Sequence, residues 1–170
     1  MEMHCTFVSF EPIFIVMDKV KKRKRYERIF HQLRDGLLLN CEDPESRMAT
    51  IVALLHHKFE YFFWTGFYFL VDDRLLVRSY QGPVACMELA KDKGVCWAGI
   101  NQGATIVVDD VEQFPDHIAC SSLSKSEIVL PLRDSSGKLI GVLDVDSKDH
   151  NSFDEVDAEW LEKILVLIYR

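Results

Sequence analysis

The stretch Phe62-Phe63-Trp64-Thr65-Gly66-Phe67-Tyr68-Phe69-Leu70-Val71 constrains the fold more than any other part of the chain. Aromatic and β-branched residues in an unbroken run read as a β-strand. Asp72-Asp73 follows as a turn, and Arg74 to Tyr80 returns as a second strand. At a period of two, Phe62, Trp64, Tyr68 and Leu70 share one face, and Phe63, Phe67 and Phe69 share the other. A strand apolar on both faces must be covered on both sides. Helices are expected to make one cover. The other is either more core or a ligand pocket.

The flanking sequence supplies those helices. Tyr26, Ile29, Phe30, Leu33 and Leu37 fall at helix spacing. Asp43-Pro44-Glu45 reads as an N-cap, a proline in the first turn and an acid beside it, opening a helix through Met48, Ile51, Leu54 and Leu55. Gln81-Gly82-Pro83 breaks the second strand. Gly94 to Asn101 reads as a short helix, Thr105 to Val108 as a short strand, and Asp109 to Cys120 as irregular. Glu127 to Leu132 and Lys138 to Ser147 form a hairpin around Asp134–Gly137. Ser152 with Glu155 reads as a capping box for a last helix running to the C-terminus. Helices at both ends with strands between them predict an α+β domain, a mostly antiparallel sheet with helices packed on one face.

Composition narrows the function. A chain of 170 residues, 48% hydrophobic and 28% charged, is an ordinary globular mix large enough for one buried core. A net charge of −7 argues against nucleic acid as a partner. The one basic run, Lys19 to Arg25 interrupted by Val20, reads as a solvated helix face. Residues 1–17 are a poorly patterned leader, and Met17 is a candidate start; residues 18–170 are expected to form a single domain. The apolar run Pro12–Met17 is too short to span a bilayer, so no membrane role is expected. Five cysteines, unevenly spread and without a visible signal peptide, place the chain in a reducing cytoplasm.

Three of those cysteines, Cys86, Cys96 and Cys120, lie in the central part of the chain with no CxxC pair among them. The usual zinc spacing is missing, so no metal and no other cofactor is expected. Cys5 and Cys41 have no motif around them and read as inert. Asp144 and Asp146 are two apart on a predicted strand, so both point to one face. Like charges side by side repel unless a proton or cation sits between them. A solvated strand end would relieve them too. Glu127 opens the paired strand, and pairing across the hairpin can bring it near both aspartates. Three acids at one sheet end would be costly as mere structure, which favours a site. Trp64 and Tyr68 on one face are either plain core or the aromatic wall of a pocket for a soft apolar group. His117 is either a loop residue or a group that lowers the Cys120 thiol pKa. His56-His57 read as surface.

Taken together, the segments Phe62–Leu70, Tyr80–Cys86, Lys93–Cys96, Asp110–Cys120, Ser124–Leu132 and Ile140–Ser147 resemble the GAF-domain free methionine-(R)-sulfoxide reductases. The resemblance runs from about Tyr26 to Leu167. A generic GAF domain shares the hairpin, but not three cysteines at these spacings with Glu127 and both aspartates. The resemblance implies a GAF-like fold with N- and C-terminal helices on one sheet face and a pocket under loops on the other. It implies reduction of free methionine (R)-sulfoxide, with Cys120 as nucleophile and sulfenic acid, Cys86 as resolving thiol and Cys96 as a further thiol of the relay. A thioredoxin-type donor would reduce the resulting disulfide. Glu127, Asp144 and Asp146 match the acidic substrate site, which binds the amino group and holds a proton. Trp64 and Tyr68 match the wall around the S-methyl group. A homodimer stays open.

Some positions depart from the family pattern. Trp97 follows Cys96 where glycine is common, Ser121 follows Cys120 where aspartate is common, and Asp116 stands where glycine is common. The chain ends at Arg170, earlier than members with a longer final helix. Two other readings stay beside the enzyme. One is a GAF sensor module that binds a small ligand without chemistry. The other is a redox or metal sensor using Cys86, Cys96, Cys120 and His117, which lacks a short chelating pair to anchor it.

Overall fold

The computed structural model describes residues 18–117 and 120–170. The expectations for the leader, Met17 and Cys5 lie outside the described residues. Among the described residues the α-helices are α1 (Lys19–Gln32), α2 (Pro44–Lys58), α3 (Gly94–Gln102) and α4 (Glu155–Leu165). The strands are β1 (Trp64–Val71), β2 (Arg74–Gln81), β3 (Glu88–Leu89), β4 (Ile106–Val108), β5 (Ser126–Arg133) and β6 (Leu139–Ser147). They form one sheet in the order β3-β2-β1-β6-β5-β4, each neighbouring pair antiparallel.

The strand with two apolar faces is covered on both sides, as its pattern requires. Phe67, Leu143, Val145, Ile128 and Leu130 point into one core with Tyr26, Ile51, Leu55, Leu161 and Ile164 from α1, α2 and α4. Trp64, Tyr68, Val129 and Val142 point into the other, with Val95, Cys96 and Trp97 from α3. So α3 leaves the helical layer and sits on the opposite face. Gly99 allows this, because a Cβ there would meet Val129 Cγ1 at 2.8 Å.

Several local expectations are corrected. β1 starts at Trp64, so the alternation does not extend upstream: Phe62 joins the helical core and Phe63 the opposite one. The last helix is capped by Asp154, with Asp157 completing the box, because the Ser152 hydroxyl is engaged by Ser147 Oγ and Asp149 O. That helix ends at Leu165, and the carbonyls of Leu167 and Arg170 beyond it accept hydrogen bonds from buried Arg47. The basic run is not wholly solvated: Lys22 is 2% exposed, and its ammonium pairs with Asp157 Oδ2 at 2.6 Å. His56 is half-buried, with Nδ1 3.3 Å from Thr65 Oγ1. At α2 the predicted cap is present, Asp43 accepting from Ser46 N at 2.7 Å.

Candidate active site

The site is assembled by register. Trp64 pairs with Asp146 across β1 and β6, and Asp146 pairs with Glu127 across β6 and β5. One step along, Gly66, Asp144 and Val129 form the next row. Residues opposite one another in an antiparallel ladder project to the same face, and so do residues two apart along a strand. The three acids and Trp64 therefore all face away from the helical layer. The short Asp134–Gly137 turn sets the hairpin register, its Asp134 carboxylate accepting from Ser136 N and Lys138 N at 2.9 and 3.1 Å.

The aromatic wall stands on β1. The Trp64 and Tyr68 rings lie 5.7 Å apart at 24°, and Tyr80 also stacks on Trp64, at 5.4 Å and 19°. Gly66 makes this possible, since a Cβ there would run into both the indole and Tyr80. The Tyr68 hydroxyl donates to Cys86 O at 3.0 Å and ties the wall to the loop after β2. The indole Nε1 of Trp64 is buried and has no partner among the described residues.

Cys86 and Cys120 are joined by a disulfide, with their Cα atoms 5.6 Å apart. Cys120 is exposed, Cys86 is half-buried, and Cys120 lines the same pocket as Trp64, Tyr68 and the three acids. Cys96 is apart from them in kind. It is a free thiol on the first turn of α3, 4% exposed, with its sulfur 4.0 Å from Glu127 Oε1.

Burial controls the electrostatics. It raises Glu127 well above the usual carboxylate range, and the charges of Asp144 and Asp146 add to the effect. Burial likewise raises Asp144, with Asp146 adding to it and hydrogen bonds from Glu127 and Cys96 opposing it. Asp146, less enclosed, is raised by burial to about 6, opposed by a hydrogen bond from Ser124. The same burial, and then the neighbouring acids, push the Cys96 thiol up, so it is protonated at neutral pH. His117 lines the pocket, its Nδ1 is buried without a partner among the described residues, and burial lowers its pKa. At neutral pH the ring is uncharged, so it brings no full positive charge to Cys120.

Of the residues proposed from the sequence, Trp64, Tyr68, Cys96, Cys120, Glu127, Asp144 and Asp146 line one pocket, and Cys86 is tied to its edge through Cys120. Two contributors were missed. Gly66 carried a readable signal, since a lone glycine inside a strand marks a close approach. Ser124, buried against Asp146, carried none: a serine in a Ser/Lys stretch reads as loop.

The GAF domain family profile matches residues 42–168. The chain is 46% identical over 153 residues to GAF domain-containing protein A of Dictyostelium discoideum, covering 89% of this chain and 95% of that one. It is 37% identical over 118 residues to the free methionine-R-sulfoxide reductase of Escherichia coli, covering 69% of this chain and 71% of that one. The X-ray structure of free methionine-R-sulfoxide reductase from Neisseria meningitidis, in complex with its substrate, superposes with a TM-score of 0.81 at 37% identity. That match covers 98% of this chain and 93% of the other.

Proposed function

The chain belongs to the GAF-domain free methionine-R-sulfoxide reductases, and on that premise we propose that it reduces free L-methionine (R)-S-oxide to L-methionine through its own cysteines. The Cys120 thiolate attacks the sulfoxide sulfur, and a carboxyl gives its proton to the oxygen. Methionine leaves as the thioether, and Cys120 keeps the oxygen as a sulfenic acid. The Cys86 thiol condenses with it, releasing water and forming the Cys86–Cys120 disulfide. Cys96 is a further thiol through which the disulfide can be relayed. A thioredoxin-type dithiol then reduces the disulfide by exchange and is itself oxidised. We place this cycle in the cytoplasm, where such donors operate, within one domain spanning residues 18–170. No helix among the described residues is long and apolar enough to cross a membrane.

The acids divide the work by environment. Glu127, raised well above the carboxylate range with no hydrogen bond opposing the rise, is the proton donor. Asp146, with a pKa of about 6, is ionised at neutral pH and pairs with the substrate ammonium, next to Asp144. A peptide-bound methionine sulfoxide has no free ammonium to offer these charges. Trp64 and Tyr68 hold the S-methyl group. One arrangement carries the reading: Cys120 of a disulfide-forming pair lines the same pocket as three carboxylates, and one oxygen of Asp144 has no partner among the described residues.

The test is coupled NADPH oxidation with a thioredoxin system and racemic free methionine sulfoxide. Consumption should stop at half of the substrate, and Cys120→Ser should abolish it. Cys86→Ser should release a single methionine per enzyme without donor and then turn over poorly. A folded protein that consumes nothing would sink the proposal.

A further inference from the structure

Spacing along the chain finds metal sites only where ligands come in short chelating pairs. It is blind to a site made from three separate elements. Cys96 Sγ from α3, a Glu127 carboxylate oxygen from β5 and an Asp144 carboxylate oxygen from β6 all lie within 4.8 Å of one another. All three residues are buried. Two ligands bound tetrahedrally to one zinc ion, at about 2.3 Å for sulfur and about 2.0 Å for oxygen, stand about 3.5 Å apart. The observed Cys96–Glu127 separation is 4.0 Å, so small side-chain shifts close the set. An independent observation points the same way. Asp144 is 6% exposed, lines the pocket, and its Oδ1 has no hydrogen-bond partner among the described residues. A buried carboxylate oxygen left without a donor calls for an explanation, and a bound ion is one.

We propose that Cys96, Glu127 and Asp144 form a thiolate–carboxylate site for a borderline divalent cation of the zinc class, with the remaining coordination open to the pocket. A thiolate beside two carboxylates selects zinc or cobalt over magnesium and calcium, which take oxygen alone. Binding forms a metal–sulfur bond and releases the Cys96 thiol proton to solvent, together with any proton shared by the two carboxyls. No electron moves. The cation occupies the acids to which the proposed function assigns the substrate, so it competes with methionine sulfoxide. Only that competition rests on the proposed function; the metal site itself does not.

The experiment uses the oxidised full chain with Cys5 and Cys41 replaced by serine, so that Cys96 is the one remaining thiol. Titration with cobalt(II) should develop a thiolate-to-cobalt charge-transfer band that saturates at one ion per chain. Cys96→Ser should abolish the band. Glu127→Gln and Asp144→Asn, which keep side-chain shape and the thiol, should each weaken cobalt affinity by about tenfold or more. No band in the parent protein, or a band surviving Cys96→Ser, or full affinity in both carboxamide variants, would overturn the site. Free methionine sulfoxide should raise the cobalt concentration needed for saturation. A band that sulfoxide leaves untouched would overturn the placement of substrate on these acids while the metal site stands.

Discussion

Asp157 and Asp144 are both buried aspartates, on opposite faces of one sheet, and their surroundings differ in kind. Asp157 Oδ1 accepts from the hydroxyls of Tyr26 and Tyr61 at 2.8 and 2.6 Å. Its Oδ2 accepts from the Lys22 ammonium at 2.6 Å and from Asp154 N at 2.9 Å. Burial still raises its pKa, but the Lys22 charge opposes the rise. Asp144 has acids and a thiol for neighbours, and one of its oxygens is unpartnered. The contrast separates two uses of a buried charge. Where α4 must be locked to α1, every lone pair is answered from within the fold. Where a ligand is to be bound, the fold leaves the answer to the ligand.

The comparison can be broken by exchanging the consequences of mutation. Glu127→Gln should cut turnover in the coupled assay by about 10²-fold or more, with thermal stability unchanged or raised. Asp157→Ala should do the reverse, keeping activity per folded molecule. It should lose about 3 kcal/mol in urea unfolding, because Lys22 keeps only its longer 3.1 Å pair with Asp154 and the Tyr26 and Tyr61 hydroxyls lose their acceptor. If each variant showed the other's phenotype, the division would fail. Tyr61→Phe sharpens the structural side, removing one hydrogen bond to a charged acceptor at a cost of about 1.5–3 kcal/mol.

The smallest effect is in pH. An acid whose pKa is higher folded than unfolded keeps its proton longer in the folded state, so stability falls as pH rises through that window. For Asp146 the window runs from the ordinary aspartate value, about 3.9, to about 6. Glu127 and Asp144 extend it upward. Substrate-free protein should therefore show a shallower loss of stability with rising pH in Glu127→Gln than in the parent. Parallel stability curves for the two would contradict strained acids at the site.

What could be read from the chain follows the range of the forces involved. β1, β5 and β6 were legible because alternation and turn residues are local, and the hairpin turn alone carried Glu127 to the aspartates. Asp116, a position where the sequence departs from the pattern it resembles, has a left-handed backbone at φ 52°, a conformation aspartate tolerates better than most residues. The docking of α3 onto the pocket face was not legible. It depends on Gly99 meeting Val129 across a long loop, and it alone brings Cys96 to Glu127. Lys22 was misread for a related reason. A lysine in a basic run looks solvated until the partner carboxylate arrives from the far end of the chain.

The Cys86–Cys120 bond joins residues 34 apart and encloses α3 and β4 in a covalent ring. Closing a ring of that length removes chain entropy from the unfolded state worth about 4 kcal/mol on the loop-entropy account. In the proposed cycle this bond exists only between turnover and rescue by the donor. An enzyme that has spent its thiols and waits for reductant is then held in its sturdier form. Exhaustion of the donor pool, which accompanies oxidant exposure, would leave a population arrested but protected from unfolding, ready to resume when reducing power returns.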